Sequence, residues 1–415
     1  MAEATLASSS RRVVVGLSGG IAAYKTCSVI SELAKAGLVV RPILTAQGQA
    51  FIPALTVATL ARHTAYTDQT FWDPAYGRPL HIELGEWAEL LVIAPLSANT
   101  LGKLAHGLAD NLLTNTVLAS TCPVLLAPAM NTDMWQQRAV QRNWQMVLQD
   151  PRFHSVGPGS GVLACDRVGT GRMAEPDDIL PYIYSLLHTG GQRDLAGRHV
   201  LISTGSTREY LDPVRFIGNP ASGKMGVALA QAALHRGAKV TLVHGPMEPA
   251  LQARLGDMQA IPVTTAAEMH RAMITHLPQA DWVIMAAAVA DVRPTQPSPT
   301  KLAKAELPQA LPLEPVPDIV ADLAQRRQPD QTLIGFAAQT GDILPPALEK
   351  LHRKGLDAIV ANPVDVEGSG FGADTNQAIL LHRDGQKVLI PPCSKLDMAH
   401  RIFDSLHSAL TNAKM

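Results

Sequence analysis

Residues 11–37, RRVVVGLSGGIAAYKTCSVISELAKAG, join an apolar β-branched run, a glycine-rich turn and a helical pattern that ends at Gly37. The valine run predicts a buried strand, since β-branched residues favour a pleated sheet. The following run, LVVRPILT at 38–45, predicts a second strand. A strand, a helix and another strand in succession are typical of a parallel sheet covered by helices.

This pattern continues and then restarts. Further strands are predicted in ELLVIAP and PVLLAPA, and, after the polar stretch LHTGGQRDLAGR, in HVLISTG, AKVTLVHG, ADWVIMAAAVAD (a long buried strand), TLIGFAA and LDAIVAN. The sequence therefore predicts an α/β protein with two doubly wound, Rossmann-like parallel-sheet domains. We expect a disordered tail at 1–11, the domains at 12–188 and 199–412, and a linker at 189–198.

The composition excludes several function classes. Lys and Arg number 35 against 36 for Asp and Glu, which gives a net charge of −1 and no electrostatic footprint for nucleic acid or an anionic membrane. The longest apolar run, Trp282–Ala290, is too short for a membrane span. The N-terminus has no basic region typical of a secretory signal. Scattered cysteines (Cys27, Cys122, Cys165, Cys393) predict neither a disulfide framework nor a zinc site, and favour a cytoplasmic location.

Ligands of doubly wound sheets bind at the carboxyl ends of the strands. The first such turn, GLSGGIAAYK at 16–25, offers backbone amides at a helix N-terminus, where phosphate is favoured. Thr45 ends the second strand, and Ser97, Asn99 and Thr100 begin another helix. Together these turns predict a site for a phosphorylated ligand.

Two further polar residues lie near predicted strand ends. Asn131 closes PAMN at 128–131, where Asn is ordinarily a turn former. His81 stands at the start of HIELGEWAE, a segment too irregular for a clean strand, and a lone His is more often packed than catalytic. Taken alone, each residue fits the structural interpretation better.

In the second half, Gly218–Lys224 spells the P-loop pattern GxxxxGK within STREYLDPVRFIGNPASGKMG. Met225 replaces the magnesium-binding Ser or Thr, so we reject a P-loop. The absence of G-x-G-x-x-G likewise argues against NAD.

Longer motifs occur in a defined order: SGGIAAYK, HIELGEWA, APLSANT…GKLAHGLADNLL, PAMN and ACDRVGTGRM. This series resembles the flavin-dependent cysteine decarboxylases, and the second half resembles their partner ligase. As a whole, the chain resembles the bifunctional phosphopantothenoylcysteine decarboxylase/phosphopantothenate–cysteine ligase family of coenzyme A biosynthesis. The resemblance implies a flavodoxin-like, FMN-dependent decarboxylase domain at 12–188 and a CTP-dependent ligase domain at 199–412.

For the first domain, the resemblance implies that FMN oxidises the cysteinyl side chain to a thioaldehyde, which eases loss of CO2, and then returns the hydride. His81 and Asn131 would act on the substrate, with Asn131 binding its carboxylate. Cys165, in a glycine-rich lid, would supply a proton. The FMN sites would be shared between subunits of a trimer-based homo-oligomer, up to a dodecamer. The implied FMN-binding residues are Ser18, Gly19, Gly20, Ile21, Thr45, Ser97 and Asn99.

For the second domain, the resemblance implies ligation of cysteine to 4′-phosphopantothenate through an acyl-cytidylate, with Mg²⁺ held mostly by phosphate oxygens and water. Asn219 would stabilise that intermediate, and Lys301 would serve the second half-reaction. Asp291 (cytidine ribose), Phe336 (base), Lys350 and Lys354 on one helix face (triphosphate), and Lys301 itself would bind CTP. Departures from the family pattern occur at Asp166, Arg167, Ala221, Ala303, Gln339 and Pro363.

Two alternatives accompany this interpretation. In the first, only the decarboxylase is active, given the altered flanks of the ligase motifs. In the second, the chain is a non-catalytic, FMN-binding regulatory homologue. The presence of His81, Asn131 and Cys165 favours the enzyme.

Overall fold

The computed structural model describes residues 11–162, 168–256 and 258–412. These residues fall into two compact units, divided between Gln192 and Arg193. Each unit contains one large sheet flanked by helices, which confirms the predicted α/β class with two doubly wound domains.

The N-terminal unit contains a six-stranded sheet in the order β3-β2-β1-β4-β5-β6, with every pair parallel. Its strands are β1 Arg12–Leu17, β2 Val39–Leu44, β3 Tyr66–Thr67, β4 Leu90–Leu96, β5 Val124–Pro128 and β6 Phe153–Ser155, followed by the hairpin β7 Gly159–Val162 and β8 Val168–Arg172. Its helices are α1 Ala23–Lys35, α2 Ala46–Gln49, α3 Ala54–Ala61, α4 Asp68–Phe71, α5 Leu80–Trp87, α6 Ala98–His106, α7 Leu112–Ala119, α8 Thr132–Gln136, α9 Arg138–Leu148 and α10 Pro176–Thr189.

The first strand shows why this sheet is buried on both faces. Val13 and Val15 pack into one apolar core, and Val14 packs into the core on the opposite face. All three side chains are fully buried. A strand whose successive residues alternate between two cores must be apolar throughout, as the sequence is.

The C-terminal unit contains an eight-stranded sheet in the order β13-β12-β9-β14-β17-β18-β19-β20. Its strands are β9 His199–Thr204, β10 Arg208–Tyr210, β11 Phe216–Gly218, β12 Lys239–His244, β13 Gln259–Pro262, β14 Trp282–Met285, β15 Val292–Pro294, β16 Leu313–Pro315, β17 Thr332–Gln339, β18 Ala358–Pro363, β19 Thr375–His382 and β20 Lys387–Ser394. Its helices are α11 Lys224–His235, α12 Pro249–Gln252, α13 Ala266–His276, α14 Ile319–Arg326, α15 Leu344–Arg353 and α16 Lys395–Asn412, with 3-10 turns at Ala253–Leu255, Leu277–Gln279 and Lys304–Glu306.

The first six strands of this second sheet are parallel, and β19 and β20 extend it in antiparallel fashion. In both units the strand order reverses direction next to the first strand, between β1 and β4 and between β9 and β14. A crevice opens at such a reversal, beyond the carboxyl ends of the strands, and ligands bind there.

One predicted strand is too long. ADWVIMAAAVAD was predicted to be a strand throughout, whereas β14 ends at Met285. Beyond it the chain follows the loop after β9, since Ala288 N donates to Gly205 O at 2.8 Å and Ala290 N to Thr207 Oγ1 at 3.0 Å. Residues 286–290 therefore border the crevice instead of continuing the sheet.

The stretch 189–198, predicted as a linker, contains ordered contacts of the second unit. Leu195 is fully buried in that unit's core, and its amide donates to Arg236 O at 3.1 Å. Asp194 forms an ion pair with the Arg236 guanidinium.

Candidate functional sites

The turn after β1 presents a row of backbone amides at the carboxyl edge of the first sheet. The amides of Gly19, Gly20, Ile21 and Ala22 donate to no acceptor among the described residues, and they directly precede α1. A Cβ at Gly19 would lie 2.5 Å from Gln47 Cβ, so only glycine lets this turn approach α2. Four successive amides at a helix start are suited to bind a phosphate group.

The hydroxyl groups at this edge are already engaged. Ser18 Oγ donates to Pro95 O at 2.6 Å, and Thr45 Oγ1 donates to Leu17 O at 3.3 Å. Ser97 Oγ donates to Thr100 Oγ1 at 3.2 Å. Each hydroxyl has one hydrogen, so these side chains hold the loops in place instead of donating to a ligand. Their assignment to FMN stays a prediction, as does that of Asn99, whose exposed side chain has no hydrogen-bond partner in the described part of the chain.

Asn131 lies just beyond β5, at the same edge of the sheet. It caps α8 through its Oδ1, which accepts the Asp133 amide at 2.8 Å. Met130, the residue before Asn131, is joined to the β7–β8 hairpin, because its amide donates to Gly171 O at 2.9 Å. A Cβ at Gly171 would lie 2.3 Å from Met130 O, so this close contact requires glycine.

The hairpin carries the segment with the predicted Cys165. Cys165, Asp166 and Arg167 lie outside the described residues. The two strands that lead into and out of this segment pair antiparallel. The hydrogen bond from Met130 N to Gly171 O places this hairpin next to the Asn131 turn.

His81 lies in the first turn of α5, a helix where the sequence indicated only an irregular segment. Because α5 leads directly into β4, its first turn is at the carboxyl edge of the parallel sheet. The ring contacts Phe71 edge-on, with centroids 5.4 Å apart, and its buried Nδ1 has no hydrogen-bond partner among the described residues. A buried, unpaired ring nitrogen requires a partner, which a ligand can supply.

The C-terminal unit has a cavity of about 660 Å³ at the β9–β14 reversal, within the size range of small-molecule sites. The structure brings five predicted residues together in its wall: Asn219, Asp291, Phe336, Lys350 and Lys354. Lys301 does not line the cavity, and its side chain is exposed.

Lys350 is partly buried in the cavity wall. Its Nζ donates to Phe336 O at 2.8 Å. Burial lowers the pKa of Lys350; the charge of Asp291 raises it in part and that of Arg353 lowers it further. The ammonium group thus faces the cavity with one backbone acceptor and a nearby carboxylate, and it has capacity for an additional anionic partner.

Lys354 differs from its predicted placement. Helix α15 ends at Arg353, so Lys354 is the C-cap residue and not part of the helix. Its Nζ forms an ion pair with Asp318, which also caps α14. Both predicted lysines still line the cavity, but only Lys354 is neutralised by a direct carboxylate contact.

Two cavity lysines were not predicted. Lys224, the first residue of α11, donates to Gly372 O at 2.8 Å and to Asp374 Oδ1 at 2.6 Å. Lys395 opens α16, and its Nζ donates to Thr375 O at 3.2 Å. Burial lowers the pKa of Lys395, with nearby Lys224 lowering it further. Lys224 belongs only to the rejected P-loop pattern, and Lys395 lies in no motif, so no sequence signal indicates that they meet.

The cavity is consequently rich in positive charge. Its wall carries Lys224, Lys350, Arg353, Lys354 and Lys395 against Asp291 and Asp318. Asn219 adds an amide that donates to Val289 O at 3.2 Å. A polyanionic ligand is the chemistry that this wall favours.

Cys393, one of the cysteines in the described part of the chain, provides a test of thiol reactivity. Burial, with a contribution from Asp397, raises the pKa of Cys393 to about 12. We expect iodoacetamide at pH 8 to alkylate Cys393 roughly tenfold to a hundredfold more slowly than an ordinary thiol, because only the thiolate reacts and its greater intrinsic nucleophilicity offsets part of the loss. Peptide mass spectrometry over a time course measures this rate, with the guanidinium-unfolded protein as control. Equal rates in the folded and unfolded protein would contradict the expectation.

Within the described ranges, no group of three or more His, Cys, Asp or Glu side chains is arranged to hold a metal ion. No helix in the same ranges has the length and apolar character needed to cross a membrane.

Two protein families match the chain. One, described as Flavoprotein, matches residues 1–188, and the other, described as DNA/pantothenate metabolism flavoprotein C-terminal domain, matches residues 195–410.

Individual proteins are similar as well. Coenzyme A biosynthesis bifunctional protein CoaBC of Bacillus subtilis is 42% identical over 397 residues, which cover 96% of this chain and 97% of that protein. A cysteine/cysteine sulfinic acid decarboxylase of an unknown prokaryotic organism is 43% identical and covers 80% of this chain and 92% of its own. A solved structure of a mutant PPC decarboxylase complexed with pantothenoylaminoethenethiol is 38% identical, covers 42% of this chain and 97% of its own, and has a TM-score of 0.39.

Proposed function

Because the chain belongs to the family of coenzyme A biosynthesis bifunctional proteins, an enzyme family with decarboxylase and ligase activities, we propose that it catalyses two consecutive reactions. The C-terminal unit ligates cysteine to 4′-phosphopantothenate with CTP, through an acyl-cytidylate. The N-terminal unit, a flavoprotein domain, then decarboxylates this adduct to 4′-phosphopantetheine.

The ligase half is supported chiefly by the cation-rich cavity at the β9–β14 reversal. A carboxylate is a poor electrophile, so it attacks the α-phosphate of CTP, and positive groups stabilise the charge on the departing pyrophosphate. Lys350 and Lys395 provide such charge from two separate elements, and Lys224, which is paired with Asp374, lies in the same wall. Mg²⁺, bound to phosphate oxygens, would add to it. Asp291 would bind the ribose, Phe336 the base and Asn219 the acyl-cytidylate, while the exposed Lys301 would serve the attack by the cysteine amine.

The decarboxylase half is supported by the free amides of Gly19–Ala22, which fit the phosphate of FMN. FMN bound there would supply a reversible two-electron acceptor for the cysteinyl side chain, so the overall decarboxylation would consume no external oxidant. Asn131 would bind the substrate carboxylate through its amide, and His81 would assist at the same edge of the sheet. Cys165, outside the described residues, would return the proton.

A single incubation tests both halves. The purified protein is mixed with 4′-phosphopantothenate, cysteine, Mg²⁺ and CTP, and the product is weighed by mass spectrometry. We expect the mass of 4′-phosphopantetheine, and no product when CTP is omitted. Accumulated cysteine adduct would refute the roles of His81, Asn131 and Cys165. Unchanged 4′-phosphopantothenate would refute the ligase half, leaving a decarboxylase alone or a regulatory FMN-binding protein.

Lys350→Met is expected to raise the KM for CTP about tenfold to a hundredfold, because it removes a charged hydrogen-bond donor from the cavity. The matched control is Lys354→Met, whose amine is already paired with Asp318 and whose effect is expected to be smaller. Steady-state ligation at varied CTP concentration measures both variants. Equal KM values for Lys350→Met and the wild type would contradict the expectation.

We also propose a trimer-based homo-oligomer with shared FMN sites, acting in the cytoplasm. Large apolar side chains of the N-terminal unit are exposed, including Ile21 and Tyr24 at the start of α1, next to the free amides. Burying such side chains against another copy would cover apolar surface beside the flavin. Light scattering on the purified protein measures the assembly, and a monomer that binds FMN would refute shared sites.

A further inference from the structure

The segment that carries Lys301 is fixed to a turn next to β10. Three hydrogen bonds join the two: Ser298 N to Leu211 O at 2.8 Å, Leu302 N to Asp212 Oδ2 at 3.3 Å, and Arg215 Nη1 to Leu302 O at 3.3 Å. Two of the three act on Leu302, the residue directly after Lys301. The Lys301 side chain itself is exposed and forms no hydrogen bond or ion pair with the described residues. Its position therefore depends on how its backbone is held.

Asp212 is the centre of this connection. Its side chain is 0% exposed. Oδ1 accepts the amides of Val214 and Arg215, both at 2.8 Å, and Oδ2 accepts Arg215 Nη1 at 2.6 Å in addition to Leu302 N. A buried carboxylate with four donors has a single favourable orientation.

The carboxyl group of Asp212 is ionised at neutral pH. Burial alone would raise its pKa, but the hydrogen bonds from the amides of Val214, Arg215 and Leu302 and the charge of Arg215 hold the pKa below its ordinary value. The contact with Leu302 N is thus a charge-assisted hydrogen bond.

We propose that Asp212 is a positioning residue for Lys301: by fixing the backbone at Leu302, it determines where the Lys301 amine stands during attack of cysteine on the acyl-cytidylate. This inference rests on the proposed role of Lys301 in the second half-reaction. Asp212 contacts neither substrate nor nucleotide in this scheme, and acts only through the segment that it holds.

The carboxylate of Asp212 caps its own turn through Oδ1 and holds Leu302 through Oδ2. The variant Asp212→Asn separates these two functions. The asparagine oxygen can still accept the amides of Val214 and Arg215 and keep the turn capped. The amide nitrogen replaces Oδ2, and it cannot accept from Leu302 N or from Arg215 Nη1. The substitution thus removes the hydrogen bond from Leu302 N and the ion pair that holds the Arg215 guanidinium next to Leu302 O, while the amides of Val214 and Arg215 keep their acceptor.

The two half-reactions are measured in the full-length protein. Pyrophosphate release from CTP, with 4′-phosphopantothenate and Mg²⁺ but without cysteine, reports the first. Formation of the cysteine adduct in a single turnover reports the second. We expect Asp212→Asn to slow the second about tenfold to a hundredfold and to leave the first at the wild-type rate. Equal losses in both steps, or no loss in either, would overturn the proposal.

Two controls complete the experiment. Asp194→Asn neutralises another carboxylate that is paired with an arginine in the same unit, and it makes no contact with the Lys301 segment; its two half-reactions are expected to keep their wild-type ratio. Lys301→Gln is expected to lose the second half-reaction. A full second half-reaction in Lys301→Gln would refute the role of Lys301 and this inference with it, whereas absence of pyrophosphate release from the wild type would refute the proposed ligase itself.

Limited trypsin digestion gives an independent measure of the connection. We expect cleavage after Lys301 to be faster in Asp212→Asn than in the wild type, because the released segment reaches the protease more often. The Asp194→Asn variant again serves as the comparison. An unchanged cleavage rate at Lys301 would show that Asp212 does not hold the segment.

Discussion

Gly226→Ala is expected to lower ligation of cysteine about a hundredfold while decarboxylation by the same protein stays at its wild-type rate. Gly226 is the third residue of α11, and a Cβ there would lie 2.2 Å from Thr204 Oγ1 and 2.3 Å from Thr204 Cβ. Thr204 ends β9, is fully buried, and donates from Oγ1 to Gly223 O at 2.9 Å. Burial and this hydrogen bond hold Thr204 in place.

The added methyl group therefore pushes the start of α11 away from β9. That displacement moves Lys224 and the backbone at Gly223, both of which line the cavity. Overpacking of this kind also costs about 1–3 kcal/mol of stability. Ligation is measured with 4′-phosphopantothenate, cysteine and CTP, and decarboxylation with the cysteine adduct supplied directly. Parallel loss of both activities would contradict the prediction, as would unchanged ligation.

Exchange of His81 for glutamine is expected to lower decarboxylation about a hundredfold to ten-thousandfold, the range for removal of a positioned proton-transfer group. The buried Nδ1 of His81 has no partner among the described residues, which leaves it available to a ligand at the carboxyl edge. Ligation should be unaffected, so the cysteine adduct should accumulate. Quantitative mass spectrometry of adduct and 4′-phosphopantetheine measures the ratio.

His106→Gln is the matched control, because His106 is exposed at the end of α6. Thermal unfolding of both variants checks that loss of the edge contact between His81 and Phe71 does not unfold the unit. Wild-type kcat in a folded His81→Gln protein would refute the role of His81.

The strands that open each unit were predictable because their signals are local. Val13, Val14 and Val15 form a continuous apolar run, as the two buried faces of the sheet require. Gly37 and Gly237 end the following helices at φ 84° and 88°, a backbone region that favours glycine. A short window of sequence contains all the information these elements need.

The ends of β14 and α15 were not predictable in this way. The apolar run continues past Met285, but the pairing with β17 ends there, and the amides of Ala288 and Ala290 donate to the loop after β9. Lys354 keeps the four-residue spacing from Lys350, yet α15 stops one residue before it. Apolar character and spacing describe a side chain's preferences, whereas the end of an element depends on partners from distant parts of the chain.

In the candidate sites, too, some residues could be identified from the sequence, whereas others depend on contacts between distant parts of the chain. Asp291, Phe336 and Lys350 were identified by resemblance and line one cavity. Lys224 and Lys395 join them only because β9, β18 and β19 bring α11 and α16 to one side of the sheet. No local pattern relates a lysine after a glycine turn to a lysine that opens the last helix.

The division of the chain at Gln192 has a consequence for its synthesis. Every strand of the first sheet is translated before Arg193, so the N-terminal unit has all of its strand partners while the second sheet is still unmade. Translation of the remainder takes roughly 10–45 s at about 5–20 residues per second, far longer than a small domain needs to fold. The flavoprotein unit can therefore fold on the ribosome, and its apolar strands are withdrawn from mispairing before the second sheet is complete.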